Sequence, residues 1–268
     1  MMTNKLETHA AEIRRQIVTM IYNAQSSHMG CSLGIVDILV VLYFKIMHID
    51  PQKPKLEDRD KFVLSKGHAC AALYATLAER GYFNKQKLAE YCKNGSTMAG
   101  HVTYGSLPGI ESTAGSLGHG LSMAVGMALA GKYNKKPTNV YVLVGDGECA
   151  EGSIWEAILF AGHHKLHNLT LIIDNNDFQI MGQVSNILDL SPLDKKLDSF
   201  GWDNIIIDGN NIEEIVASLE KKHPTKPLAI IAKTIKGKGI SFMENKCEWH
   251  GKSPTTQEYE LALRELNL

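Results

Sequence analysis

The segment Val140-Tyr-Val-Leu-Val-Gly145-Asp146-Gly147-Glu148, answered downstream by Leu171-Ile-Ile-Asp174-Asn175-Asn176, restricts the possible folds of this chain more than any other feature. Each half is an apolar run rich in β-branched residues, the pattern of a strand buried on both faces. Each run stops abruptly at small or oxygen-bearing side chains. In an open parallel sheet, ligands sit just beyond the carboxyl ends of the strands. Two neighbouring strands would therefore bring Asp146 and Asn176 to one edge. A carboxylate and an amide oxygen meeting there suit a hard cation such as Mg²⁺, which keeps places for phosphate oxygens and water. Gly145 and Gly147 lack Cβ atoms, so backbone and a diphosphate can approach closely. Gly-Asp-Gly alone describes an ordinary tight turn equally well. What distinguishes it is Asn176, 29 positions after Gly147, a gap with room for one helix and one more strand.

The rest of the chain supplies the sheet that this pairing needs. Leu6, Ala10, Ile13, Ile17, Ile21 and Ala24 recur at helical steps and make one face of an opening helix. Residues 26–34 break it, and 35–47 reads as a second, mostly buried helix. A short strand at 61–64 ends at Ser65-Lys-Gly-His68 and feeds a helix through Arg80, and Asn84 can cap another short helix to Cys92. Residues 93–120 form a long loop rich in Gly, Ser and Thr. Its scattered Leu107, Ile110 and Leu117 mark it as packed and functional rather than disordered. Beyond it the pattern predicts a helix to Tyr133, strands at 140–144, 169–173, 204–207 and 228–233, and helices at 153–166, 193–200 and 211–222. Such alternation implies an α/β fold, a doubly wound and mostly parallel sheet with helices on both faces. No repeat or linker divides the chain, so residues 1–268 are read as a single domain. The loops after four strands then carry His68, Asp146, Asn176 and Lys236 to the same sheet edge.

Composition narrows the function classes. A formal net charge of −1 gives no electrostatic case for nucleic acid or an anionic membrane. The five cysteines are scattered, with no C-x-x-C pair, which argues for free thiols in a reducing, cytoplasmic setting. The apolar stretch at 35–47 is interrupted by Asp37 and Lys45 and is too short to span a bilayer. The opening residues carry helical periodicity rather than the charged and apolar regions of a secretion signal. His163 and His167 are spaced as metal ligands on a helix face, but the helix ends there, where basic groups are favoured anyway. Gly115-Ser-Leu-Gly118-His-Gly120 lacks the preceding apolar strand of a dinucleotide loop.

Gly147-x28-Asn176, with a strand before each end, resembles the thiamine diphosphate (ThDP) motif. The order of longer motifs resembles the N-terminal, diphosphate-binding half of transketolase over nearly the whole chain. These motifs are Ser27-His-Met-Gly-Cys-Ser-Leu-Gly34, Leu64-Ser-Lys-Gly-His68, Gly100-His101, Leu107-Pro-Gly-Ile-Glu111 and Thr113-Ala-Gly-Ser-Leu-Gly118. They continue with Gly145-Asp-Gly-Glu-Cys-Ala-Glu-Gly152, Asp174-Asn-Asn-Asp-Phe-Gln-Ile180, Lys233-Thr-Ile-Lys-Gly-Lys-Gly-Ile240 and Trp249-His-Gly-Lys252. The resemblance implies a ThDP-binding fold of the PP (diphosphate-binding) type. It implies that Asp146, Asn176 and the main-chain carbonyl of Phe178 hold Mg²⁺, or Ca²⁺ or Mn²⁺ in its place. His68 and His250 would hydrogen-bond the diphosphate with help from Lys236, beside Gly145 and Gly147, and Gly115 and Leu117 would contact the aminopyrimidine. His28 and His101 would line the substrate channel and exchange protons with sugar hydroxyls, while Glu151 and Glu156 would connect cofactor sites across a dimer interface. The cofactor would supply the carbanion chemistry that moves a two-carbon ketol unit between sugar phosphates.

Full-length members of that family continue into a second, pyrimidine-binding domain and a third domain. The expectation is therefore an N-terminal subunit of a split transketolase, working with a separately encoded C-terminal subunit in a heterotetramer. His119 stands where the family commonly has glutamine. Two other expectations compete: the diphosphate-binding subunit of a 2-oxo acid decarboxylase or dehydrogenase, and a non-catalytic subunit that kept the cofactor fold for assembly. The histidines along the channel and the Leu64-Ser-Lys-Gly-His68 signature favour sugar chemistry over the former. The intact Asp146, Gly147 and Asn176 set argues against the latter.

Overall fold

The structure, a computed structural model, describes residues 2–221 and 223–266. Five parallel strands form the central sheet: β1 (Lys61–Leu64), β2 (Val140–Gly145), β3 (Leu169–Asn175), β6 (Asp203–Asp208) and β7 (Leu228–Lys233). Their spatial order is β1-β2-β3-β7-β6. Two further two-residue strands, β4 (Phe178–Gln179) and β5 (Gly182–Gln183), pair antiparallel in a small hairpin after β3. The helices are α1 (Met2–Ala24), α2 (Met29–Gly34), α3 (Val36–Val41), α4 (Cys70–Arg80) and α5 (His119–Tyr133), then α6 (Gly152–His163), α7 (Val184–Ile187), α8 (Leu193–Ser199), α9 (Ile212–Glu220) and α10 (Thr256–Glu265).

Strand residues divide by parity between two apolar cores, which is why the runs in the sequence are continuous rather than alternating. Val140, Val142 and Val144 of β2 enter one core, and Tyr141 and Leu143 enter the other. Ile230 and Ile231 of β7 split in the same way. One core is completed by α1, α2, α3, α4 and α9, the opposite one by α5, α6 and α8. The chain steps outward from β1 to β3, jumps to β6 at the edge, and returns through α9 to place β7 beside β3. Winding thus changes direction between β3 and β7, where the loops at the carboxyl ends part and leave a crevice.

The in-register pairing decides where the polar strand ends fall. Gly145 of β2 lies opposite Asp174 of β3, and Asn175 opposite Lys233 of β7. The loops after β1, β2, β3 and β7 therefore emerge on one side, as the sequence pattern required.

Several local details depart from the sequence reading. Residues 29–34 are helical rather than a simple break, since Ser32 N–H donates to the His28 carbonyl at 3.3 Å and starts a buried turn. The expected helix at 35–47 is α3 followed by a π-helical turn, Leu42–Ile46. After Asn84, whose side chain accepts from Gln86 N–H at 3.0 Å, the segment Lys85–Glu90 is 3₁₀ rather than α. The long loop is anchored by buried Met98, Val102, Leu107 and Ile110. The terminal helix α10, held at its start by a Thr255–Glu258 capping box, was not anticipated. The last residue of the expected 211–222 helix, Lys222, lies outside the described residues.

Helix α6 meets the chain entering β6 so closely that a Cβ on Gly162 would fall 1.9 Å from the Phe200 carbonyl oxygen. Gly126 in α5 has nothing within 4 Å of the same position. Gly162→Ala is expected to destabilise the protein by about 1–3 kcal/mol through overpacking. Gly126→Ala is expected to stabilise it by up to about 1 kcal/mol through helix propensity. Urea unfolding of the two variants beside the parent checks both signs; a Gly162→Ala protein as stable as its parent would contradict the close approach.

Candidate active site at the carboxyl edge of the sheet

The four loops enclose a hollow of about 150 Å³. Lys66 and His68 enter from the loop after β1, Asp146 and Gly147 from that after β2, Asn176 and Phe178 from that after β3, and Lys236 and His250 from the chain after β7. Leu117, from the long loop before α5, closes one wall, and Gly145 forms part of the floor. Nine of the residues expected to touch the cofactor or its metal thus meet in one place.

Asp146 N-caps the 3₁₀ turn Gly147–Ala150. Its Oδ1 accepts from Gly147 N–H at 2.8 Å, and its Oδ2 accepts from Asp177 N–H at 2.6 Å and from Asn175 Nδ2 at 3.3 Å. Burial, together with the nearby charge of Asp174, pushes its carboxyl up to about 6. Asn176 donates Nδ2 to Asp174 Oδ2 at 2.9 Å and accepts from Phe178 N–H at its Oδ1, also at 2.9 Å. Those two bonds set which way the amide faces. The Phe178 carbonyl accepts a long bond, 3.4 Å, from the Lys236 ammonium.

A carboxylate that burial holds back from ionising, an amide oxygen and a main-chain carbonyl form a donor set suited to a hard divalent cation. The set is too small to close a coordination shell. Among the described residues no group of three or more His, Cys, Asp or Glu could hold a metal ion alone. Phosphate oxygens and water would complete the shell, as is usual for Mg²⁺.

The anion-facing wall is cationic and imidazole-rich. Lys66 is fully buried and paired with Asp174, whose carboxylate also accepts from Thr234. Burial alone would depress the Lys66 ammonium, but the charge and hydrogen bond of Asp174, with Cys31 and Asp146 nearby, together outweigh it and the pKa lies above its ordinary value. Lys236 donates to His250 Nδ1 at 3.2 Å, which requires that nitrogen to be unprotonated. The rings of His28, His68 and His250 are 5.1–5.2 Å apart, centroid to centroid, and His101 stands 6.0 Å from His28 at the exposed rim. Burial first, and then neighbouring positive groups, together lower His68 to about 2, His250 to about 3 and His28 to about 4. These imidazoles are neutral near pH 7 and able to donate one hydrogen bond and accept another.

His28 occupies the left-handed backbone region, φ 69°, at the start of α2. Its N–H donates to the His250 carbonyl at 2.9 Å, so two distant segments are tied together beside the cluster. Gly115 borders this rim, its Cβ position 3.8 Å from His101 Cδ2. Glu151 and Glu156 do not line the hollow, although Glu151 packs against Gly118, next to Leu117 in its wall. Both are exposed, Glu151 as the N-cap residue of α6 and Glu156 within that helix. Helix α6 ends at His163, so His167 lies beyond it.

Four contributors escaped the sequence reading: Lys66, Asp174, Glu148 and Thr234. A usable signal existed for Asp174, because a charge ending a strand buried on both faces needs a partner. Lys66, in the loop after β1 on the far side of β2, is that partner. A larger hollow of about 400 Å³ adjoins the site, on the other side of Asp146 and Asn176. It is lined by the carboxylates of Asp177, Asp189 and Asp194 with the single ammonium of Lys233, and so suits a diphosphate less well than the smaller hollow.

Residues 6–266 match the family described as the transketolase, thiamine diphosphate binding domain. The chain is 41% identical to an apulose-4-phosphate transketolase subunit of Phocaeicola vulgatus, over 100% of this chain and 95% of that protein. It is 43% identical to the 6-deoxy-6-sulfo-D-fructose transketolase subunit SqwG of Clostridium sp. (strain MSTE9), over 97% of this chain and 96% of that protein. The crystal structure of transketolase from Campylobacter jejuni superposes with a TM-score of 0.92 at 33% identity. That superposition covers 98% of this chain and 43% of the Campylobacter chain.

The lowered histidines make an acid-side prediction. Between about pH 2 and 6.5, His68 is protonated in the unfolded chain and neutral in the folded one. Stability is therefore lost as pH falls below 6.5, by up to about 1.4 kcal/mol per pH unit for His68. His28 and His250 act in the same direction, while the raised Asp146 acts oppositely. In urea titrations at pH 7 and pH 5, His68→Asn should lose less stability over the interval than the parent. Equal losses would show that His68 is not held neutral by the fold.

Proposed function

This chain belongs to the transketolase family, to its thiamine diphosphate binding domain, and we propose that it is the diphosphate-binding subunit of a two-subunit transketolase. It would transfer a two-carbon ketol unit from a ketose phosphate or related donor to an aldose acceptor. Supporting this reading is the single hollow in which Asp146, Asn176 and the Phe178 carbonyl meet Lys66, Lys236, His68 and His250. The relatives named as subunits, and spanned over 95–96% of their length, support a division of the enzyme between two polypeptides.

In this assignment Asp146, Asn176 and the Phe178 carbonyl hold Mg²⁺, with Ca²⁺ or Mn²⁺ as substitutes. The diphosphate lies against His68, His250 and Lys236, over Gly145 and Gly147, where no side chain blocks the backbone. Lys66 adds a buried positive charge behind it. Gly115 and Leu117 border the aminopyrimidine. Bound ThDP supplies the carbanion chemistry. His28 and His101 hold and release protons at substrate hydroxyls, a task for which a neutral imidazole near pH 7 is suited.

A partner subunit supplies the pyrimidine-binding domain, and two copies of each chain assemble as a heterotetramer in the cytoplasm. Glu151 and Glu156, exposed at the start of α6 and within it, face that assembly and link paired cofactor sites. Among the described residues no helix is long and apolar enough to cross a membrane. Residues 1–268 act as one diphosphate-binding unit.

Two measurements test the proposal. The chain purified with its partner should transfer ketol units from at least one member of a ketose panel headed by apulose 4-phosphate and 6-deoxy-6-sulfo-D-fructose, and neither polypeptide should do so alone. Release of CO₂ from pyruvate without ketol transfer would replace this reading with a 2-oxo acid enzyme. In the assembled complex, Asp146→Ala should weaken Mg²⁺-dependent ThDP binding more than about a hundredfold by calorimetry. Unchanged affinity would remove Asp146 from the metal site.

A further inference from the structure

We propose that Glu148 is a positioning residue for the cofactor: its carboxylate joins three separate loops of the diphosphate pocket into one frame. The inference rests on the pocket assignment above and adds to it a residue with no expected role. Glu148 is 2% exposed and makes no ion pair within 4.0 Å among the described contacts. Its hydrogen-bonding capacity is spent on neighbours from three different parts of the chain. Oε1 accepts from Ser65 Oγ at 2.5 Å and from Gly118 N–H at 2.8 Å, and Oε2 accepts from Gly145 N–H at 3.0 Å.

Each donor sits next to groups assigned to the cofactor. Ser65 immediately precedes Lys66 on the loop that carries His68, Gly118 follows Leu117, and Gly145 precedes Asp146. The Gly118 carbonyl is held as well, accepting from Ser153 Oγ at 3.0 Å, so the peptide groups on both sides of that glycine are fixed to the segment after β2. Gly118 has φ +83° and its Cβ position falls 2.5 Å from Ser153 Oγ. The Gly120 Cβ position falls 2.5 Å from Ser65 Cβ. The loops are therefore already in contact around Glu148, and the carboxylate fixes their relative register.

Burial raises the Glu148 carboxyl above its ordinary value, while the Ser65, Gly118 and Gly145 donors oppose the shift. Three donors converging on two oxygens match a carboxylate and no other side chain of that length. In Glu148→Gln the amide keeps one oxygen. Either Gly145 N–H or the Ser65 and Gly118 pair then faces an NH₂ group, and a buried donor loses its acceptor.

The test uses the complex with its partner subunit, measuring ThDP affinity by calorimetry and ketol transfer against ThDP concentration. For Glu148→Gln, the KM and Kd for ThDP should rise about 10- to 100-fold, the range found when groups orienting a cofactor-site ligand are removed. The kcat at saturating ThDP should stay within about twofold. A Kd within twofold of the parent overturns the proposal. So does a fall in kcat and bound stoichiometry at unchanged Kd, which is the signature of lost folded protein. Should Glu148→Gln fail to fold, Ser65→Ala, which removes one donor and leaves the carboxylate, decides: a rise in Kd of about threefold or more supports the proposal, and an unchanged Kd overturns it. Failure of the parent complex itself to bind ThDP would overturn the functional reading instead, so the two failures are distinguishable.

Discussion

A buried carboxylate at the end of β3, Asp174, holds the site together. It is fully enclosed and accepts from Lys66, Thr234 and Asn176, which belong to the loop after β1, the chain after β7 and the cation loop after β3. Breaking a buried ion pair by removing one partner costs about 3–5 kcal/mol, because the other charge is left uncompensated. The pair is consequently strong as a constraint even where its net contribution to folding is small. It does two things at once. It turns the Asn176 amide so that the oxygen remains for a cation, and it retains a charged Lys66 at a depth where an unpaired ammonium would lose its proton.

Charge is distributed around that anchor with a clear sense. Lys66 and Lys236 reinforce the positive potential of the small hollow, and the imidazoles beside them are kept neutral by burial and by those same ammonium groups. Neutral imidazoles add hydrogen-bonding capacity without further repulsion between cations. A diphosphate entering there would meet two positive charges and several donors, while its metal would meet Asp146. The carboxylate-rich hollow next door lacks this balance, despite being larger.

Much of this was legible in the residues. The apolar runs at 140–144 and 169–173 demanded neighbouring strands buried on both faces, and the parallel pairing of β2 with β3 follows that demand. His68, Asp146, Asn176 and Lys236 could be assigned to one edge because every parallel strand exits on the same side. Local conformation was less accessible. The helix at Met29–Gly34 is short and wholly buried, so no polar face gave it a period. The hairpin of β4 and β5 has two residues per strand, too few for alternation to register. Glu148 looked like an ordinary acidic residue after a turn, since its three donors lie 83, 30 and 3 positions away.

The sequence by itself determined the layered α/β architecture, the edge at which chemistry occurs and the residue types available there, because burial period and strand exit are local properties of the chain. Only the tertiary structure decided which polar groups pair, which way the Asn176 amide faces, which histidines stay neutral, and that Glu151 and Glu156 do not line the hollow. Those outcomes depend on the dielectric surroundings and on partners far apart in sequence, and both exist only once the strands are side by side.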